Sequence, residues 1–196
     1  MICCAASRLL VSAVVIGLVA LPASARKDKR LEKEDLINVL LGPARAQWLV
    51  GPIASIATDE EIQAYLELSD DTAAEDFILE FWQRRVDPGN PWPGHQVKDI
   101  FDIRAERADR LFTEGASPGR RTDRGSIFIL FGEPKETGFV QDVSRNDVTV
   151  EVWLYDPSVR LGLHGEPPQR RYFFSKKNGV MSFASPPRIL QSRPRR

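Results

Sequence analysis

Residues 119–134 read GRRTDRGSIFILFGEP, and the order of the fold turns on them. Upstream, apolar residues recur at the three-and-four spacing of helices. From residue 127 onward they run continuously or alternate. The stretch 127–131, IFILF, is bounded by Gly125 and by Gly132-Glu133-Pro134, the pattern of a buried strand. Thr122 and Asp123 are residue types that bond nearby backbone amides and shape a turn, and Gly125 permits a close backbone approach where the strand would begin.

Outward toward the N-terminus, residues 96–112 place Val97, Ile100, Phe101, Ala108, Leu111 and Phe112 on one helical face. Arg104, Arg107 and Arg110 fall mostly on another. Residues 86–94, VDPGNPWPG, hold three prolines and two glycines and must be loop. Residues 72–85 carry the stripe Ala74, Phe77, Ile78, Phe81 and Trp82, a core-facing helix. Thr58 and Glu61 fit a capping box at the start of a short helix. Leu31, Leu36, Ile37, Leu40 and Leu41 predict an amphipathic helix ending near Gly42-Pro43. Toward the C-terminus, residues 148–155, VTVEVWLY, read as a strand. Residues 171–175 and 180–184 flank Asn178-Gly179, which supplies the positive φ angles of a tight hairpin. Helices first and strands last give an α+β fold, with N-terminal helices packed on a small, mostly antiparallel C-terminal sheet.

The chain has 196 residues, 42% of them hydrophobic, with 27 Lys+Arg against 27 Asp+Glu and two cysteines. This balance excludes a disordered tail, a disulfide-stapled miniprotein and a polytopic membrane protein. The absence of a basic excess argues against nucleic acid as a partner. Residues 1–25 combine Arg8, an uncharged run at 9–21 and the small-residue site Ala23-Ser24-Ala25, the layout of a signal peptide cut after Ala25. The apolar run would rise only about 20 Å as a helix, short of a bilayer core, so no integral span is expected after cleavage. Cys3 and Cys4 would leave with it. The expected organisation is a signal peptide at 1–25, a helical segment at 26–47, an α+β domain at 48–184 and a basic, proline-rich tail at 185–196, extended or disordered. Export, to a periplasm or to the cell exterior, is expected.

Charge is unevenly spread. Nine acidic residues and no Lys or Arg lie between Arg45 and Arg84; charge runs are usually solvated or answered within the chain. No phosphate-binding loop, nucleophile elbow or zinc-binding helix motif is present. His95 and His164 have no partner histidine at ligand spacing and read as surface residues. No cofactor or metal site is expected, and no catalytic residue can be chosen. The candidates for binding are Thr122, Asp123, Arg124, Gly125 and Glu133 along the quoted stretch, Arg104 on the preceding helix, and Trp92, which its flanking prolines pre-order.

Several ordered motifs carry a resemblance. Phe81-Trp82 with Arg85 and Asp87-Pro88, the helix bearing Arg104 and Ala108-Asp109, Thr122-Asp123-Arg124-Gly125 running into IFILFGEP, and Glu151-Val152-Trp153-Leu154-Tyr155 resemble the GWxTD-domain family in that order. Arg120 stands where the family's motif has tryptophan. The resemblance implies an exported bacterial protein and names no reaction. The expected function is a noncatalytic binding or structural module of the cell envelope, with an envelope protein or a cell-surface polymer as partner. The alternative is an extracytoplasmic hydrolase using carboxylates near Asp123 and Glu133.

Overall fold

Thr122 decides the fate of the apolar run that follows it. Its hydroxyl oxygen accepts the Gly125 N–H at 3.0 Å, the bond of a helix N-cap, and the chain continues as a helix over Asp123–Phe131. The strand expected at residues 127–131 is therefore a helix in the computed structural model, which describes residues 32–85, 97–158 and 161–188. Ile127, Phe128, Ile129, Leu130 and Phe131 are all buried. A helix sunk in the core needs no polar face, so its sequence loses the periodicity that would separate it from a buried strand. Gly132 ends it at φ 80°, donating its N–H to the Phe128 carbonyl at 2.7 Å, a stop that glycine allows without strain.

In chain order the helices are α1 (Pro43–Ala46), α2 (Ile53–Ile56), α3 (Asp59–Leu66), α4 (Asp71–Gln83), α5 (Val97–Phe112) and α6 (Asp123–Phe131). The strands β1 (Glu136–Asp142), β2 (Val148–Leu154), β3 (Arg171–Lys177) and β4 (Val180–Phe183) follow. They form one antiparallel sheet in the order β1-β2-β3-β4. The fold is α+β, as expected.

α3 starts at the foreseen capping box: the Thr58 hydroxyl accepts the Glu61 N–H at 3.2 Å, and the Glu61 carboxylate accepts the Thr58 N–H at 3.1 Å. Asn178 and Gly179 take φ 52° and 88° and join β3 to β4. The amphipathic helix expected up to Leu41 is only a 3-10 turn, Lys33–Leu36. Asn38 draws the chain out of it. Its buried amide donates to the carbonyls of Tyr65 at 2.9 Å and Leu68 at 2.8 Å, capping the end of α3.

The core has two lobes joined by α5. In the first, Trp48 packs on Tyr65 and Phe81 at 4.8 and 4.9 Å between ring centres, and Trp82 reaches Phe101 of α5 at 5.1 Å. In the second, Phe112 of α5 meets Phe128 of α6 at 5.5 Å and Trp153 of β2 at 5.4 Å, with Phe174 of β3 beside Trp153. A ring of this kind contributes about 1.5–3 kcal/mol when fully buried; Trp48 and Phe112 are half-buried and contribute less. Leu111, expected on the core face of α5, is 54% exposed.

Candidate functional site

Gly119 and α5 lie so close that a Cβ on Gly119 would sit 1.9 Å from the Ala108 carbonyl oxygen. Six residues on, a Cβ on Gly125 would sit 1.8 Å from the Gly119 carbonyl oxygen. Thr122 fills the space between them, donating its hydroxyl to the Gly119 carbonyl at 2.8 Å while it caps α6. The turn is thus wedged against a helix on one side and wound into another on the other.

Asp123 and Arg124 reach the sheet. Asp123 accepts the Phe183 N–H at 2.8 Å, so it holds the edge strand β4 against α6. Its other oxygen lies 3.8 Å from the Lys33 ammonium. Arg124 bridges Glu114 at 2.5 Å and Glu151 of β2 at 3.2 Å. Both carboxylates have second tasks: Glu114 accepts the Met181 N–H at 2.7 Å, and Glu151 accepts the Trp153 indole N–H at 2.7 Å. The Arg124 guanidinium also stands over the Phe112 ring at 5.3 Å. Arg124 is paired with both carboxylates, and the three side chains are only 11–19% exposed, so the arrangement is a clamp between α6 and the sheet.

Arg104 was expected to lie mostly on the polar side of α5. It is buried instead, and donates to the carbonyls of Ile129 at 2.9 Å and Leu130 at 3.1 Å. A cation at the carbonyl end of α6 complements the helix dipole. The Tyr155 hydroxyl donates to the next free carbonyl, that of Gly132, at 2.8 Å, and burial pushes its phenol pKa well up. Glu133 lies past this end, exposed and paired with Arg107 at 3.3 Å. Asp123 and Glu133 therefore bracket opposite ends of a nine-residue helix, separated by about 12 Å of axial rise. Trp92 and His95 lie outside the described residues, as do the loop at 86–94, the first 31 residues and the tail beyond Arg188. The tail's first part, Ser185 to Arg188, is held by the β1–β2 turn: Arg145 donates to the Ser185 carbonyl at 3.0 Å and the Arg188 N–H donates to Asp142 at 3.2 Å.

His164 is half-buried against the Phe131 ring, and its Nδ1 is shielded with no hydrogen-bond partner. Burial depresses its pKa. Among the described residues, no group of three His, Cys, Asp or Glu is placed to hold a metal ion.

Beside the turn opens a cavity of about 320 Å³. Trp48, Trp82 and Phe101 supply its aromatic walls, and Lys98, Arg120, Arg121 and a single acid, Asp102, bring charge to it. None of the four residues Thr122 to Gly125 lines it. Arg120 is spoken for: its Nε and Nη2 reach Asp109 at 2.7 and 2.6 Å. Burial alone would raise the Asp109 pKa, but Arg120's hydrogen bonds and charge outweigh it and hold the carboxyl below its usual range. Sequence reasoning passed over this cleft because Gln47 and Arg121, which are hydrogen-bonded across it, lie far apart in the chain. The signal available was Arg120 itself, a cation at the position of a family tryptophan.

The family model of the GWxTD domain matches residues 43–180. No curated protein and no solved structure matches the chain.

Proposed function

The chain belongs to the GWxTD-domain family, and from that premise we propose that it is an exported, noncatalytic binding module of the bacterial cell envelope. The observation that carries this reading is the division of labour around the turn. Asp123 and Arg124 spend their charged groups on holding helix to sheet, and Thr122 spends its hydroxyl on the turn and the cap of α6. The cleft next to them keeps aromatic walls and cationic groups facing an open space. Mostly apolar concavities with a few convergent polar groups are where ligands bind.

Export is supported by the charge, apolar run and small-residue site of residues 1–25. Among the described residues no helix is long and apolar enough to cross a membrane. The hydrolytic alternative calls for a carboxylate pair within roughly 5–9.5 Å, and α6 stands between Asp123 and Glu133.

Cell fractionation with mass spectrometry of the N-terminus tests the compartment. The expected product begins at Arg26 and lies outside the cytoplasm; an intact chain beginning at Met1 in the cytoplasm overturns it. Asp123→Ala tests the division of labour: it should lower the melting temperature while the folded fraction keeps its ligand.

A further inference from the structure

Three cations reach the cleft beside the turn, and two are answered locally. Lys98 pairs with Asp102 at 2.5 Å and Arg120 with Asp109 at 2.6 Å. Arg121 differs: among the described residues its guanidinium has no carboxylate within ion-pair distance, and its one side-chain bond is to the neutral Gln47 amide oxygen. Arg121 is half-buried, so its charge is partly stripped of water, and the carboxylate its field reaches, Asp109, is already bonded to Arg120. A guanidinium has five N–H donors in a fixed fork, and among the described residues the one side-chain partner is Gln47, so donors are left for a ligand in the cleft that Arg121 lines. Its backbone is well anchored. The Arg121 carbonyl accepts from Lys33 at 3.2 Å, and Gly51 lies so near that a Cβ there would stand 3.0 Å from the Arg120 carbonyl.

Across from this cation are the walls of Trp48, Trp82 and Phe101. Trp82 and Phe101 are buried core residues, 7% and 9% exposed, while Trp48 is half-buried. A ligand that satisfies both sides carries one anionic head and a flat or apolar body. A volume of about 320 Å³ lies at the small end of ligand cavities, which limits that body to about the size of one aromatic ring with its linker.

We propose that this cleft binds an oxyanion, a carboxylate or a phosphate, borne on a small aromatic or apolar body, with Arg121 as its anchor. The inference deepens the binding reading given above and rests on it. The head is recognised by the guanidinium fork, whose geometry matches both anions. The body is recognised by contact with the ring walls. Arg120, locked on Asp109, shapes the rim.

Calorimetric titration of the purified full chain tests it, using phenylacetate, phenyl phosphate and the uncharged phenylacetamide as probes. A charge-assisted bond contributes about 1.5–3 kcal/mol, so the preferred anion should bind about tenfold or more tightly than the amide. The ratio between the two anions tells which head the site prefers. Arg121→Gln should bring the anion down to the level of the amide. Gln47→Glu, which sets a carboxylate against Arg121 from within, should do the same without removing the arginine. It serves if Arg121→Gln fails to fold. Equal binding of anion and amide, or unchanged anion binding in both variants, overturns the anion and leaves a binding module of another specificity. Binding of none of the probes overturns the cleft as a site for this class. Neither result bears on export, which the N-terminal mass decides separately.

Discussion

The two edges of the sheet are finished in opposite ways. At β4, outward N–H groups are met by carboxylates from elsewhere: Phe183 by Asp123 at 2.8 Å and Met181 by Glu114 at 2.7 Å. At β1, residues Glu136 to Phe139 are exposed, Phe139 to 70%, and among the described residues no hydrogen bond from outside the sheet reaches Thr137 to Val140. An open edge is a template for further strands, and proteins commonly cover or charge it. Here the covering is concentrated where the helices meet the sheet, and the family's turn supplies it. The motif residues are conspicuous in sequence because they are the fastening of one edge.

The largest way to break this contrast is Gly125→Ala. The new Cβ would meet the Gly119 carbonyl, which is backbone and cannot step aside, and both Asp123 and Arg124 would shift with it. A loss of at least about 3 kcal/mol is expected, seen as a collapsed melting temperature by circular dichroism; an unchanged melt would show that the turn has slack. Next comes Arg124→Met, which leaves Glu114 and Glu151 near each other without their cation. Their side chains are 12% and 11% exposed, so a loss of about 2–4 kcal/mol follows. Adding Glu151→Gln to it should recover part of that, which a double-mutant comparison reads directly.

Asp123→Ala frees the Phe183 N–H and should cost about 1–2 kcal/mol. Its sharper signature is local. Hydrogen exchange at Phe183 should speed up toward that of the β1 edge, and unchanged exchange would place the protection elsewhere. A smaller and more confined effect is expected with acid. The Ser144 hydroxyl, Arg145 and the Arg188 N–H bond to Asp142 hold its pKa down at about 2, below the ordinary value of about 3.9. A depressed pKa means that the contribution is full above the unfolded value and fades as pH falls through the folded one. The β1–β2 turn and the Ser185 to Arg188 segment should therefore loosen together between about pH 4 and pH 2, as amide exchange at Ser144 and Arg188 would report. Asp142→Asn should remove that step. The smallest effect is expected of Phe139→Ser, within about 0.5 kcal/mol and with gained solubility; a marked destabilisation would mean that this edge is covered after all.

What could be read from the sequence is what is written locally. Thr58 with Glu61 and Asn178 with Gly179 declare their helix start and hairpin within four residues, because the bonds they make are local. Residues 127–131 misled because burial on all sides erases the difference between helix and strand. Thr122 is decisive, and its residue type suits a turn as well as an N-cap. β1 went unread since Gly138 and the outward-facing Thr137 and Gln141 carry no apolar alternation. Arg104 was placed by its charge, whereas its burial comes from carbonyls on α6, 25 and 26 residues away. The site suffered most. Asp123, Arg124 and Gly125 stand out in the sequence as turn residues, whereas the strand residues that Asp123 and Arg124 reach lie 60 and 27 residues on. The cleft's Arg121 meets Gln47 from 74 residues away, a separation that no motif spans.

Those separations also set an order of events. β1–β2 and β3–β4 are joined by five and two residues and β2–β3 by sixteen, so the meander can assemble from contacts nearer in sequence than those that fasten β4. The bonds from Asp123 to Phe183 and from Glu114 to Met181 span 60 and 67 residues and close large loops, whose entropy is repaid only once the sheet exists. The fastening of β4 is then a late step, formed after the folding barrier is passed. Asp123→Ala should leave the refolding arm of a chevron plot nearly in place and raise the unfolding arm, so that the turn governs how long the folded protein lasts more than how fast it is reached.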